Sequence, residues 1–284
     1  MRNKIKTIIF IVACLVIISG ITFAEVTKIP EAMTFVQLCD PQLGFGGYEH
    51  DVNSLKLAVQ KINELKADVV VICGDMINTF DEKSISDFND IISDLKMPYY
   101  CCPGNHDVGN TPTVESLNKY RKYFGKDYYT FGSNIYTFIV TNTNLWKTPV
   151  EGESEKQDEW IKEALATAYE NDKSSPIFVI GHHPLYMRNP DEPVGNNSLP
   201  VEKRKELLEL FEKNGVKAVL TAHTHQMVIN DYKGIQLVTG ETTSRNLDGR
   251  PFGFRLWKVS PDSVKHEFVS LVSETSAVST ASSR

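Results

Sequence analysis

The chain has 284 residues, 41% hydrophobic and 23% charged, enough for one large globular domain with a sizeable core or for two small ones. Its 36 acidic residues outnumber 30 basic ones, a net charge of −6, which excludes the basic footprint that a nucleic-acid backbone demands.

At the N-terminus Arg2, Lys4 and Lys6 precede an apolar run over residues 8–18, and Thr22-Phe23-Ala24 offers small residues at both recognition positions of a signal peptidase. Residues 1–24 therefore read as a cleaved export signal, which sends the mature protein to a periplasm or out of the cell. One alternative is an uncleaved membrane anchor, for which the run is short against the ~20 residues of a span. Another is a lipoprotein signal at Ile11-Val12-Ala13-Cys14, which the apolar residues after Cys14 oppose. Cleavage leaves 27 basic against 36 acidic residues and no stable membrane span. It also leaves Cys39, Cys73, Cys101 and Cys102, each closing an apolar run, as expected of small core residues rather than of a disulfide framework. A Cys39–Cys73 bridge stays open as an alternative.

From residue 30 onward, short β-rich apolar runs alternate with helical periodicity, a pattern that predicts an α/β fold with a largely parallel sheet. Strands are expected over residues 34–39, 69–73, 99–102, 135–141, 177–180 and 218–221. Helices are expected over 53–65, 84–95, 113–124, 155–169 and 201–213. The closing stretch alternates as antiparallel strands do, over 227–232, 235–239, 252–259 and 264–268. No composition break divides residues 30–270, so they are assigned to one domain. Residues 189–200, rich in Pro, Asn and Gly, read as a surface loop near His182, and the Ser- and Thr-rich residues 273–284 as a disordered tail.

Five apolar runs lead directly into polar motifs: Asp40-Pro41-Gln42, Gly74-Asp75, Gly104-Asn105-His106-Asp107, Gly181-His182-His183 and Ala222-His223-Thr224-His225. Ligands bind at the carboxyl ends of strands in open α/β sheets, so the five converge on one edge. Carboxylate, amide and imidazole donors suit Mn, Fe, Zn, Ni or Co rather than thiolate-bound structural zinc. Singly, each motif also reads as a turn or a hydrogen-bonded core residue. Together they hold five of the seven histidines, which scattered core residues would not produce.

The set resembles the calcineurin-like metallophosphoesterase superfamily, whose pattern is Asp-x-His, Gly-Asp, Gly-Asn-His-Asp/Glu, Gly-His and Gly-His-x-His. Gln157-x-x-Trp160 is similar to a helix signature of the same superfamily. The resemblance implies a four-layer α/β/β/α sandwich, two mixed sheets flanked by helices, and two divalent metal ions. It implies that Asp40, Asp75 and His225 hold one ion, with Asp75 bridging to a second held by Asn105, His182 and His223. His106 matches the histidine that acts on the ester as general acid or charge clamp, and Asp107 supports its loop. Gln42 stands where an imidazole is usual, so that an amide oxygen, or no ligand, would serve the first ion and bind it more weakly. This Gln form, with the Gly104–Asn110 run, is similar to the calcineurin-like phosphoesterase domain-containing protein 1 subgroup. Asn78, three residues after Asp75, stands where purple acid phosphatases place a tyrosine and protein phosphatases an aspartate that orients the histidine.

The reaction so implied is hydrolysis of a phosphate ester, with a metal-bridging hydroxide as nucleophile, Asn105 holding a phosphate oxygen and His106 protonating the leaving group. A phosphomonoesterase is the expected activity. A phosphodiesterase acting on nucleotides or lipid head groups is the rival enzyme, and a metal-binding module impaired by Gln42 the rival from another class. Arg245 and Arg250, between two late strands, read either as phosphate-gripping residues or as solvated surface charges. Natural substrate, metal identity and oligomeric state leave no mark in the sequence.

Overall fold

Strands that are apolar at every position must be covered on both faces, and this two-sided burial decides the layering. The structure, a computed structural model, describes residues 32–132, 136–260 and 262–272. The export signal expected at residues 1–24 and the tail expected at 273–284 lie outside the described residues. From Ala32 onward the chain forms one unit.

One sheet has the order β11-β10-β1-β2-β3, built from β1 (Met33–Leu38), β2 (Val69–Ile72), β3 (Tyr99–Cys101), β10 (Gly253–Ser260) and β11 (Ser263–Ser270). β1, β2 and β3 are parallel, and β10 and β11 extend them antiparallel. The second sheet has the order β4-β5-β6-β7-β9-β8, from β4 (Tyr129–Gly132), β5 (Thr137–Val140), β6 (Ile177–Ile180), β7 (Val216–Thr221), β8 (Val228–Tyr232) and β9 (Ile235–Thr239). Its four inner strands are parallel and its two edges antiparallel. Helices α1 (Tyr48–Leu65), α2 (Glu82–Ile92) and α4 (Val114–Phe124) pack on the first sheet; α6 (Glu153–Asn171) and α7 (Val201–Lys213) pack on the second. Short helices α3 (Asn105–Val108) and α5 (Asn144–Lys147) follow β3 and β5. The fold is therefore the four-layer α/β/β/α sandwich, and each sheet is mixed rather than purely parallel.

Period-two alternation sorts the side chains between layers. Val36, Leu38, Val70 and Ile72 face α1 and α2, while Phe35, Cys39, Val71 and Cys73 face the other sheet. Ile139, Val179 and Val219 face α6 and α7, while Phe138, Val140, Phe178, Ile180, Ala218 and Leu220 meet the first sheet. At the centre Phe35 stacks on Trp257, with ring centroids 5.4 Å apart, and meets Phe138 and Phe178 edge-on. Gln37 is the polar fastening in this layer. Its Nε2 donates to Thr221 O and Val238 O of the second sheet, both at 3.0 Å, and its Oε1 accepts from Trp257 Nε1 at 3.0 Å.

Cys39, Cys73, Cys101 and Cys102 are buried free thiols, the core residues expected of them, with no bridge between Cys39 and Cys73. Four elements depart from expectation, one being α3, a single turn at the Gly104–Asn105 motif. β4 pairs with β5 as an edge strand that is only half covered, so it leaves no continuous apolar run to read. α1 begins five residues before the expected 53, because its first turn is polar: buried Asp51 accepts from Gly44 N and Gly46 N, both at 2.9 Å, and ties the preceding loop to the helix. α5 is a single turn too short to show periodicity. Among the described residues no helix is long and apolar enough to cross a membrane.

Phe35→Ala removes the ring that joins both sheets. The expected cost is about 3–5 kcal/mol, read from the urea midpoint; a loss near zero would show that another contact holds the layers.

Candidate metal centre

The two sheets lie with the carboxyl ends of their parallel strands side by side. Asp40, Asp75 and Asn105 leave β1, β2 and β3; His182 leaves β6, and His223 and His225 leave β7. The backbone at these exits is strained. Among the described non-glycine residues, seven have positive φ, and five of them are Asp40, Gln42, Asp75, His223 and His225. The other two, Lys66 and Lys233, close a helix and a hairpin. Left-handed backbone at such residues costs ~1–3 kcal/mol each and clusters at functional sites. Close packing adds a second restriction: any Cβ on Gly104 would collide with Asp75 Oδ1 and N.

Four donor atoms converge. His182 Nε2 lies 3.0 Å from Asn105 Oδ1, 3.2 Å from His223 Nδ1 and 3.3 Å from Asp75 Oδ2. Asp75, His182 and His223 are all within metal-clustering reach of one another. The far side of each group is spoken for. His182 Nδ1 donates to Cys73 O at 2.8 Å, His223 Nε2 to Asn196 O at 3.3 Å and His225 Nδ1 to Arg245 O at 2.7 Å. A carbonyl only accepts, so each ring carries a proton there and turns its opposite nitrogen towards the site. Asn105 Nδ2 donates to Asn110 Oδ1 at 2.9 Å, which turns its own oxygen inward.

Asp40 accepts from His223 N at 3.1 Å, and its main-chain oxygen is held by the Thr242 and Ser244 hydroxyls at 2.9 and 2.8 Å. Gln42 is 1% exposed; its Nε2 donates to Asn78 Oδ1 at 3.3 Å, and its Oε1 has no hydrogen-bond partner. An unsatisfied buried carbonyl costs ~1–3 kcal/mol, and a divalent cation is the partner such an oxygen accepts. Oxygen and imidazole donors without thiolate fit hard or borderline divalent ions.

Burial pushes the Asp75 carboxyl up, but the charges of His182 and His106 and their hydrogen bonds outweigh it and hold the group at about 2. Burial also pushes His182 down, yet Asp75 and Asp40 overcome it and raise the imidazole to about 9. Asp40 is raised by burial and by the Asp75 charge, and His223 is lowered to about 3 by burial and by His182. Two carboxylates buried this closely favour added cationic charge.

His106 stands beside the cluster. Its N–H donates to Asp75 Oδ1 at 2.8 Å, and its Nδ1 donates to the Asn78 main-chain oxygen at 3.0 Å. The oxygen at position 78 that meets His106 is therefore the backbone's, while the Asn78 side chain turns to Gln42. Asp107 is buried and accepts from Gly104 N and Met76 N at 2.8 and 3.0 Å, bracing both motifs. Burial and the Asp75 charge push it well above the usual carboxylate range. Arg245 is exposed and lies over the Phe45 ring at 5.4 Å, and that ring packs on His225 at 4.8 Å. Arg250 pairs with Asp248 at 3.3 Å and has no recorded contact with the cluster.

Sequence reasoning passed over Asn110, which the Gly104–Asn110 run contains, and Thr143, whose hydroxyl accepts from His182 N and His183 N at 3.2 and 2.9 Å. It also passed over His183, whose ring lies 4.2 Å from His223, and Thr242 and Ser244, which no motif marks. Gln157 of the helix signature clasps the Asn142 backbone at 2.7 and 3.1 Å and so steadies the turn that carries Thr143.

The calcineurin-like phosphoesterase profile matches residues 33–227, more than half of the chain. The chain belongs to the calcineurin-like phosphoesterase family. It is a hydrolase acting on phosphate esters, in a family that works with a dinuclear metal centre. The chain is 30% identical over 262 residues to serine/threonine-protein phosphatase CPPED1 of Homo sapiens, covering 84% of this chain and 83% of that one. It is 23% identical over 216 residues to a probable cyclic nucleotide phosphodiesterase of Ruthia magnifica subsp. Calyptogena magnifica, covering 74% and 86%. The fold is similar to that of a dimetal phosphatase from Danio rerio, with a TM-score of 0.65 at 14% identity over 84% of this chain and 96% of that one.

The raised imidazole of His182 contributes stability that is complete below its ordinary 6.5 and is lost as pH rises through about 9. In metal-free phosphoesterase the urea midpoint is therefore expected to fall over that interval, and His182→Asn to flatten the fall. An unchanged slope in the variant would mean that another group titrates there.

Proposed function

We propose that this phosphoesterase is an exported phosphatase that removes phosphate from a monoester. In this reading Asp40, Gln42, Asp75 and His225 hold one divalent ion, and Asp75, Asn105, His182 and His223 hold a second. The observation that carries it is the convergence of Asn105 Oδ1, Asp75 Oδ2 and His223 Nδ1 within 3.3 Å of His182 Nε2, each group turned by a partner on its far side. The orphaned Gln42 oxygen supports the weaker first site. Mn, Fe, Zn, Ni and Co all suit the donors, and a bound pair supplies an acidified water and offsets phosphate charge.

This chain's own residues do the rest. The Asn105 amide lies against the phosphate. His106, held through Nδ1 by the Asn78 carbonyl, turns its opposite nitrogen to the leaving oxygen as the proton donor, help worth ~10²–10⁴ in rate. Arg245, resting on Phe45, is placed to grip the phosphate or the group that bears it; Arg250, engaged with Asp248, serves the loop. Export rests on Arg2, Lys4, Lys6 and the apolar run that follows. The monoester preference follows the CPPED1 likeness, which spans most of both chains. The likeness to a probable cyclic nucleotide phosphodiesterase favours the diester reading as second.

Chelator-treated protein is expected to be inactive on p-nitrophenyl phosphate and to regain turnover with Mn, Ni, Co or Zn. Faster cleavage of bis(p-nitrophenyl) phosphate would move the assignment to a diesterase. His106→Ala should keep both ions and lose ~10²-fold or more in kcat, whereas Asp75→Ala should lose the ions. Equal metal contents in the two variants, measured by elemental analysis, would contradict these roles.

A further inference from the structure

The loop between β6 and α7 reaches back to the cluster, and through one atom it sets the orientation of a proposed ligand. The Asn196 carbonyl takes the proton of His223 Nε2, so His223 faces the site through Nδ1, opposite to the sense of His182. Residues 189–197 read Asn-Pro-Asp-Glu-Pro-Val-Gly-Asn-Asn and contain neither helix nor strand. Such a segment has no intrinsic reason to keep one carbonyl in place, and ordering it costs ~1–2 kcal/mol per residue.

Two cations supply that order. Arg204, on α7 and fully buried, donates Nε to Leu199 O at 3.1 Å, Nη1 to Pro190 O and Glu192 O at 3.2 and 2.9 Å, and Nη2 to Ser198 Oγ and Leu199 O at 3.1 and 2.6 Å. Lys147, the last residue of α5, donates Nζ to Gly195 O and Ser198 O, both at 2.5 Å. The two carbonyls it holds lie on either side of Asn196 in the chain. Within the loop, the Glu192 carboxylate accepts from Met187 N and Arg188 N at 2.7 and 2.9 Å. A buried arginine with five hydrogen bonds, none of them to a carboxylate, is spent on shaping this loop.

We propose that Lys147 and Arg204 are positioning residues for the second ion: by fixing residues 187–199 they hold the Asn196 carbonyl on His223 Nε2 and aim the Nδ1 lone pair into the site. The inference rests on the reading of Asn105, His182 and His223 as that ion's ligands. Neither cation touches substrate in this role.

Lys147→Met keeps the apolar stem and removes both hydrogen bonds, and Lys147→Arg keeps donors for the two carbonyls. Mn titration of metal-free protein by calorimetry is expected to show two sites in the wild type. In Lys147→Met one site should weaken ~10–100-fold, as loss of an outer partner of a metal ligand does, with the other unchanged and with recovery in Lys147→Arg. Nitrogen NMR of the His223 ring should show the Nε2–H form in the wild type and a mixture in Lys147→Met. Arg204→Lys, which keeps the charge but not the fork, should move both readouts the same way. Unchanged affinities and an unchanged His223 tautomer in Lys147→Met, even with a lower melting temperature, would overturn the inference and leave the clamp a purely structural one. A His223→Asn variant that binds metal as tightly and in the same number as the wild type overturns the ligand reading itself, a result distinct from ions that depend on His223 but ignore Lys147.

Discussion

Carboxylates that leave one sheet face imidazoles that leave the other, and the rest of the molecule is arranged around that meeting. Asp40 and Asp75 are buried side by side, where like charge and lost hydration work against each other's ionisation. His182 relieves them in the metal-free protein, rising to about 9 while Asp75 falls to about 2. The arrangement therefore prefers added positive charge, which is the physical requirement of a site that binds cations and then a phosphate. It exists only while the two sheets are closed on each other at the right register. Gln37 and the rings of Phe35 and Trp257 secure that closure directly beneath the site, where a slip of one residue would turn every inward side chain outward.

Local strain and its surroundings balance at the strand ends. Five proposed site residues adopt left-handed backbone, a conformation their own side chains disfavour. Each exit is held by bonds from elsewhere: Asp107 braces the Gly104 and Met76 amides, Thr143 receives His182 N and His183 N, and Thr242 and Ser244 grip Asp40. The ligand-type carboxylates share in this, Asp40 accepting from His223 N and Asp75 from His106 N. Backbone carbonyls at Cys73, Arg245 and Asn196 fix the three imidazoles, so ring orientation follows main-chain position.

Family membership and the geometry agree on a hydrolase of phosphate esters, and the departures lie at the rim. Gln42 buries an amide oxygen that finds no hydrogen-bond partner, and the main-chain oxygen of Asn78 accepts from His106. Phe45 and Arg245 add an aromatic and cationic wall beside His225.

The sequence alone determined the α/β alternation, the five strand-end motifs and the donor chemistry, because hydrophobic periodicity and the spacing of Gly, Asp, Asn and His are local signals; the two-sheet sandwich followed only from the resemblance those motifs carry. It left β4 and α5 unseen, since a half-covered edge strand and a single helical turn carry no periodicity. It also left Asn110, Thr143, Thr242, Ser244 and Arg204 without a role. Their work is to hold a backbone atom or an amide in place, and such a task leaves no preference for residue type that a reader of one chain can recognise. Which nitrogen of each histidine faces inward, that Arg245 rests against the site's aromatic wall while Arg250 pairs with Asp248, and that Cys39 and Cys73 stay unbridged were decided by tertiary structure alone. Each depends on contacts between segments far apart in the chain, and the direction of a ring or a guanidinium is set only when those segments pack together.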